Sequence, residues 1–135
     1  MKKQKSKTLL ASWIVGVVYA IYIVAYSISA AASAALETDA ATALGTGLGV
    51  ALLMPHIVFV ILSVIFNIIG WAMNLRWSAL VGAILYCVAG LLMPIYIPFV
   101  LAQIILSFVG FAKLKAIIEN NKALADNAEI HTIKP

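Results

Sequence analysis

Apolar residues fill this chain in three long runs, and charge is pushed to their edges. Between Lys7 and Lys113 the only charged side chains are Glu37, Asp39 and Arg76. They leave uncharged stretches of 29 residues (8–36), 36 residues (40–75) and 36 residues (77–112). One charge at mid-bilayer costs about 2.5–3.5 kcal/mol even on the lenient insertion scale. A membrane therefore selects against charge, whereas a water-soluble surface depends on it. The pattern predicts an integral, all-α membrane protein.

A hydrocarbon core about 30 Å thick takes about 20 helical residues. The first run fits one span, over residues 9–32. The second run is too long for one crossing, and Gly45, Gly47 and Gly49 at its front read as loop, leaving a span over 50–71. The third run holds Pro94 and Pro98. Proline lacks a backbone donor and disfavours helix at the residue before it, which predicts a tight hairpin between spans over 77–93 and 98–112. The result is a four-transmembrane-helix bundle over 1–115 and a short cytoplasmic tail over 116–135. Leu114, Ile117, Ile118 and Leu124 share one face of that tail, as in an amphipathic helix that continues span 4, frays near Asn127 and lies on the bilayer or docks a partner.

Charge orients the bundle. The net charge of +4 sits almost wholly at the ends: Lys2, Lys3, Lys5 and Lys7 precede the first run, and Lys113 and Lys115 follow the last. Basic clusters mark the cytoplasmic face, so both termini are expected inside, with Glu37 and Asp39 in an outer loop and Arg76 in an inner one. Trp13, Trp71 and Trp77 fall at the same inner interface. A small-residue run, Ser29 to Ala35, resembles a signal-peptide cleavage site. The apolar stretch before it is about 20 residues, longer than a signal core of about 7–15, so it is expected to stay as a span. With 64% apolar residues and a mean hydropathy of +1.09, soluble and disordered classes are excluded. No aromatic or Arg-rich surface accompanies the lysines, so no nucleic-acid partner is expected.

The polar residues are periodic. Ser12, Tyr19, Tyr22, Tyr26, Ser29 and Ser33 occupy an arc of about 100° on span 1, which predicts that Tyr19, Tyr22 and Tyr26 face span 2 or span 4. His56, Ser63, Asn67, Gly70 and Asn74 align on span 2. Ser78, Gly82, Tyr86 and Gly90 follow every fourth position on span 3, with Ala79, Ala83 and Cys87 as a second small stripe. Tyr96, Gln103, Ser107 and Gly110 mark span 4. Such stripes serve helix packing, at about 0.6 kcal/mol per interhelical bond and up to about 1.7, or line a hydrated path. Gly45-x-x-x-Gly49 has the spacing of a close helix contact and equally that of a flexible loop.

His56, Asn67 and Gln103 are the polar groups most costly in lipid, and so the first candidates for function. His56 follows Pro55, which frees the Ala51 carbonyl, and imidazole is the side chain whose charge changes nearest neutral pH. With Glu37 and Asp39 at similar depth, it would form a proton or cation site; without them, it caps a kinked helix near the headgroups. No Ser-His-Asp set, zinc-binding pair, phosphate loop or paired intramembrane carboxylate is present. The lone Cys87 has no internal partner, and no Cys/His set has metal-ligand spacing. No cofactor, metal or catalysis is expected.

Met54-Pro55-His56, then Phe66 to Trp71, Gly82 to Ala89 and Ser107 to Lys115, together resemble small four-span membrane proteins of Gram-positive bacteria. The resemblance implies a bacterial cytoplasmic membrane and no particular activity. Small multidrug transporters carry a carboxylate in the first span, and fluoride channels an arginine in a glycine-rich first helix; both are missing here. The expected role is a non-enzymatic one through helix contacts with membrane partners or further copies, as an accessory, regulatory or immunity-type subunit. The alternative is a small oligomeric channel or transporter.

Overall fold

The computed structural model describes residues 3–133. Lys2 of the basic cluster and the last two residues of the predicted tail lie outside them. The described chain is all-α: α1 (Lys7–Leu36), α2 (Ala40–Met73), α3 (Arg76–Leu92), a 3-10 turn (Pro94–Tyr96) and α4 (Ile97–Ile133). Three segments are long and apolar enough to cross a membrane: α1, α2, and the turn with α4. The 17-residue α3 is apolar but shorter.

Each boundary has a local cause. Ser6 accepts the Leu9 amide and starts α1 (3.2 Å), satisfying one of the donors a helix start leaves open. Asp39 caps α2 in the same way through Thr42. Asn74 ends α2 in the left-handed region, at φ 52°, a conformation that asparagine tolerates better than most residues. Pro94 stops α3, and Pro98 sits in the first turn of α4, where its missing donor costs nothing.

Two predicted boundaries are corrected. α2 begins at Ala40 rather than near 50, so Gly45, Gly47 and Gly49 are helical and not loop. The Asp39 cap starts the helix, and in an apolar medium backbone groups are best satisfied within a helix, which carries it through the glycines. α4 does not fray near Asn127 but runs to Ile133. Its tail holds Ala116, Ala123, Ala125 and Ala128 with Glu119 and Glu129, all good helix formers, and the Thr132 hydroxyl donates back to the Ala128 carbonyl (2.8 Å). α1 also extends past the predicted 9–32 at both ends.

The helices pack in chain order around the bundle, α4 returning to α1. The buried face of α1 is Leu9, Ser12, Gly16, Tyr19, Ile23 and Ser27. It meets a core of Val60, Val64, Tyr86, Ala89 and Val100. Close approach is set by glycine. A methyl at Gly16 would collide with the Tyr86 hydroxyl and Val64, and one at Gly70 would come 2.9 Å from the Ala79 backbone.

This packing covers only part of the length. No side chain between Ser27 and Leu53 is buried. The α1–α2 hairpin therefore rises beyond the packed core, by about 14 Å of α1 at 1.5 Å per residue. At the other end α4 continues past Leu114, its last buried residue. There the backbone of Gln4 is clasped by Asn121, which accepts from its amide (2.8 Å) and donates to its carbonyl (3.0 Å). Asn74 donates to the same carbonyl (3.2 Å). Lys5 lies 4.4 Å over the Trp71 ring, and Arg76 lies 4.8 Å over Phe111. Trp13 packs on Trp71 with ring centroids 5.8 Å apart.

Candidate functional site

Pro55 removes one helical donor in α2, and His56 follows it on the buried face. The imidazole is fully buried. Its Nδ1 lies 2.7 Å from the Ala89 carbonyl oxygen. A carbonyl can only accept, so Nδ1 carries the hydrogen and donates. Nε2 lies 2.9 Å from the Tyr19 hydroxyl and is hydrogen-bonded to it. The two bonds join α1, α2 and the last turn of α3. Tyr96 and Phe99 complete an aromatic wall: Tyr96 lies 5.8 Å from the imidazole, and Phe99 stacks on Tyr19 at 6.3 Å. The site thus joins every helix of the bundle at one level.

His56 is mid-helix, rather than one to two turns from its start, because α2 starts ten residues earlier than predicted. Asp39 is 17 residues away along the same helix, about 25 Å. Glu37 and Asp39 are exposed and serve the hairpin tip. Glu37 accepts from the amides of Thr38 (3.1 Å) and Asp39 (3.2 Å). Asp39 accepts from the Thr42 amide (2.9 Å) and hydroxyl (2.6 Å). The Thr42 hydroxyl first, then its amide, hold the Asp39 carboxyl below the usual carboxylate range. The structure therefore does not bring His56 and the two acids together. No group of three or more His, Cys, Asp or Glu side chains suited to a metal occurs among the described residues.

A second polar layer lies nearer the basic end. Ser12 and Ser107 hydroxyls pair at 2.7 Å across α1 and α4. Gln103 donates to the Val15 carbonyl at 3.5 Å. Asn67 donates to the Ser63 carbonyl one turn back, at 3.0 Å, and packs on Gly82 of α3. Three atoms of this layer have no hydrogen-bond partner: Asn67 Oδ1, Gln103 Oε1 and the Tyr86 hydroxyl.

The tyrosine stripe splits. Tyr19 is inside, but Tyr22 and Tyr26 are 54% and 48% exposed and stack on each other. The expectation that all three face inward is corrected. Past Tyr19 the buried face of α1 turns through Ile23 and Ser27 instead. Ser27 is satisfied by the Ile23 carbonyl at 2.8 Å, so it enters the core without an outside partner. Two participants had no sequence signal of their own: the Ala89 carbonyl, which is backbone, and Phe99, one apolar residue among many.

No family model, curated protein or solved structure matches the chain. The functional reading rests on the geometry.

Proposed function

We propose that the chain is a non-enzymatic component of the bacterial cytoplasmic membrane that works through helix contacts with a membrane partner, as an accessory, regulatory or immunity-type subunit. The observation that carries this reading is the contrast among its glycines. Gly16, Gly70 and Gly82 let the chain's own helices approach. Gly45, Gly47 and Gly49 are equally helical, yet nothing lies within 4 Å of a Cβ built on any of them. A helical glycine costs about 0.5–1 kcal/mol relative to alanine. Three in five residues, without a partner in this chain, fit a surface where another backbone comes close. The test is photocrosslinking in native membranes. A crosslinker at Leu44 or Leu48 gives a discrete adduct, while one at Leu62, exposed on the packed half of α2, gives none. Equal adducts at all three positions, or none at Leu44 and Leu48, would overturn it.

The topology that goes with this reading has four spans and both termini inside. At about 1.5 Å per residue, α3 reaches about 26 Å, close to the core thickness when the Pro94–Tyr96 turn is added. In a Cys87→Ser background, a thiol placed at Asp39 should label from outside intact cells. Labelling only after permeabilisation would reverse the orientation.

A second reading, a small oligomeric channel or transporter, draws on the three unpartnered buried polar atoms near Ser12 and Ser107. Cation flux into vesicles holding the purified protein, abolished by Gln103→Leu, would favour it over the first.

A further inference from the structure

We infer that the outer groove between α1 and α4 binds one anionic phospholipid, its phosphate held by Lys7 and Lys113 and one acyl chain laid along Val15 and Val18. The headgroup end is a depression of about 460 Å³ lined by Lys5, Lys7, Thr8 and Lys113, with no carboxylate in its wall. The wall is held in place: Gln4 is clasped by Asn121 and Asn74, and Lys5 is drawn over Trp71.

Further along the same seam lies an apolar groove of about 320 Å³ lined by Val15, Val18, Tyr22 and Phe99. The two depressions share one side of each helix. At 100° per residue, Thr8, Val15, Val18 and Tyr22 fall within an arc of about 80° on α1. On α4, Phe99, Lys113 and Ile117 fall within about 40°. From Thr8, Val15 and Val18 lie about 10 and 15 Å along α1, within the half-thickness of a core of about 30 Å. Charge at the interface and an apolar trough that begins within the same leaflet match a phospholipid. A free anion would use only the first, and a second copy of this chain would bring its own lysines against these.

The experiment uses the full chain in neutral detergent, with native mass spectrometry as the readout. Phosphatidylglycerol and phosphatidylcholine of identical chains are offered together. One phosphatidylglycerol per chain should be retained in preference. Lys7→Gln/Lys113→Gln should weaken its retention about 30-fold, from the usual contribution of two lysines near an anionic surface. Lys115→Gln/Lys122→Gln removes the same charge outside the groove and should change retention less than about threefold. Val18→Trp fills the trough and should weaken retention with every lysine present; its melting curve by circular dichroism reports folding separately. Equal retention of the two lipids overturns the site. So does an equal loss in the two double variants, displacement by equimolar inorganic phosphate, or dimer in place of the lipid adduct.

Discussion

The two halves of α2 are built from similar residues and do opposite things. From Leu53 to Gly70 its polar and small side chains are buried: His56 bonds α1 and α3, Asn67 packs on Gly82, and Gly70 touches the Ala79 backbone. From Ala40 to Leu52 nothing is buried, although this half holds three glycines, two threonines and four alanines. Lipid supplies no hydrophobic force between helices, so their association depends on close backbone approach and on polar bonds across the seam. The packed half has both within the chain. The projecting half has the small residues without a counterpart, and that difference points outside the molecule.

The strongest way to break this comparison is to add one methyl-bearing side chain to each half. Gly70→Val puts branched carbon against the Ala79 backbone. Overpacking of this kind costs about 1–3 kcal/mol, and folded protein recovered in micelles should fall accordingly. Gly47→Ala meets open space and should be neutral or stabilising by up to about 1 kcal/mol, since alanine is the better helix former. Thermal unfolding followed by circular dichroism measures both. Destabilisation by Gly47→Ala in the isolated chain would show that the hairpin packs on itself after all.

An effect of the same order is expected at the level where the two halves meet. His56→Ala removes two interhelical bonds at once and leaves the Tyr19 hydroxyl and the Ala89 carbonyl without their partner. At about 0.6 kcal/mol per bond, and up to about 1.7, the loss should be near 1–3 kcal/mol. Tyr19→Phe removes one bond and should cost about half as much. His56→Gln retains a donor and an acceptor and should lie between wild type and alanine. If Tyr19→Phe costs as much as His56→Ala, the Ala89 bond contributes nothing. If His56→Gln keeps wild-type stability yet loses partner crosslinking, the imidazole has a role beyond packing.

What the sequence made legible follows the same division. The buried stripes of α2 and α3 could be read because their small and polar residues repeat at helical spacing and each found a place against a neighbour. The stripe on α1 could be read only as far as Tyr19. Beyond it the buried face continues through Ile23 and Ser27, and periodicity cannot distinguish a face that meets a helix from one that meets lipid. Tyr22 and Tyr26 keep the spacing of Tyr19 and lie outside. The glycines at 45, 47 and 49 were misread as loop because propensity is only a weak prior when a helix has a strong cap and apolar surroundings. His56 comes mid-helix instead of one to two turns from the helix start for that same reason. Its link to the Ala89 carbonyl has no residue-type signature at all.

The smallest effect tests the tip of the projecting half. Asp39 starts α2 by accepting from the Thr42 amide and hydroxyl, and those bonds hold its carboxyl below the ordinary range. A group with a lowered folded value stabilises fully above its ordinary value, and the contribution is lost as pH falls through the lowered one. Protection of the Thr42 amide from hydrogen exchange, corrected for intrinsic rate, should therefore hold at neutral pH and disappear only in acid, below the ordinary carboxylate range. Asp39→Asn caps a helix about as well without titrating there, so its protection should stay level across the same range. The packed half offers the control: the amides of α2 between Val60 and Asn67 should show no such step in either protein. A step shared by both halves would mean that acid loosens the whole bundle, and a flat profile for wild-type Thr42 would mean that the glycine-rich helix is held at its start by something other than this carboxylate.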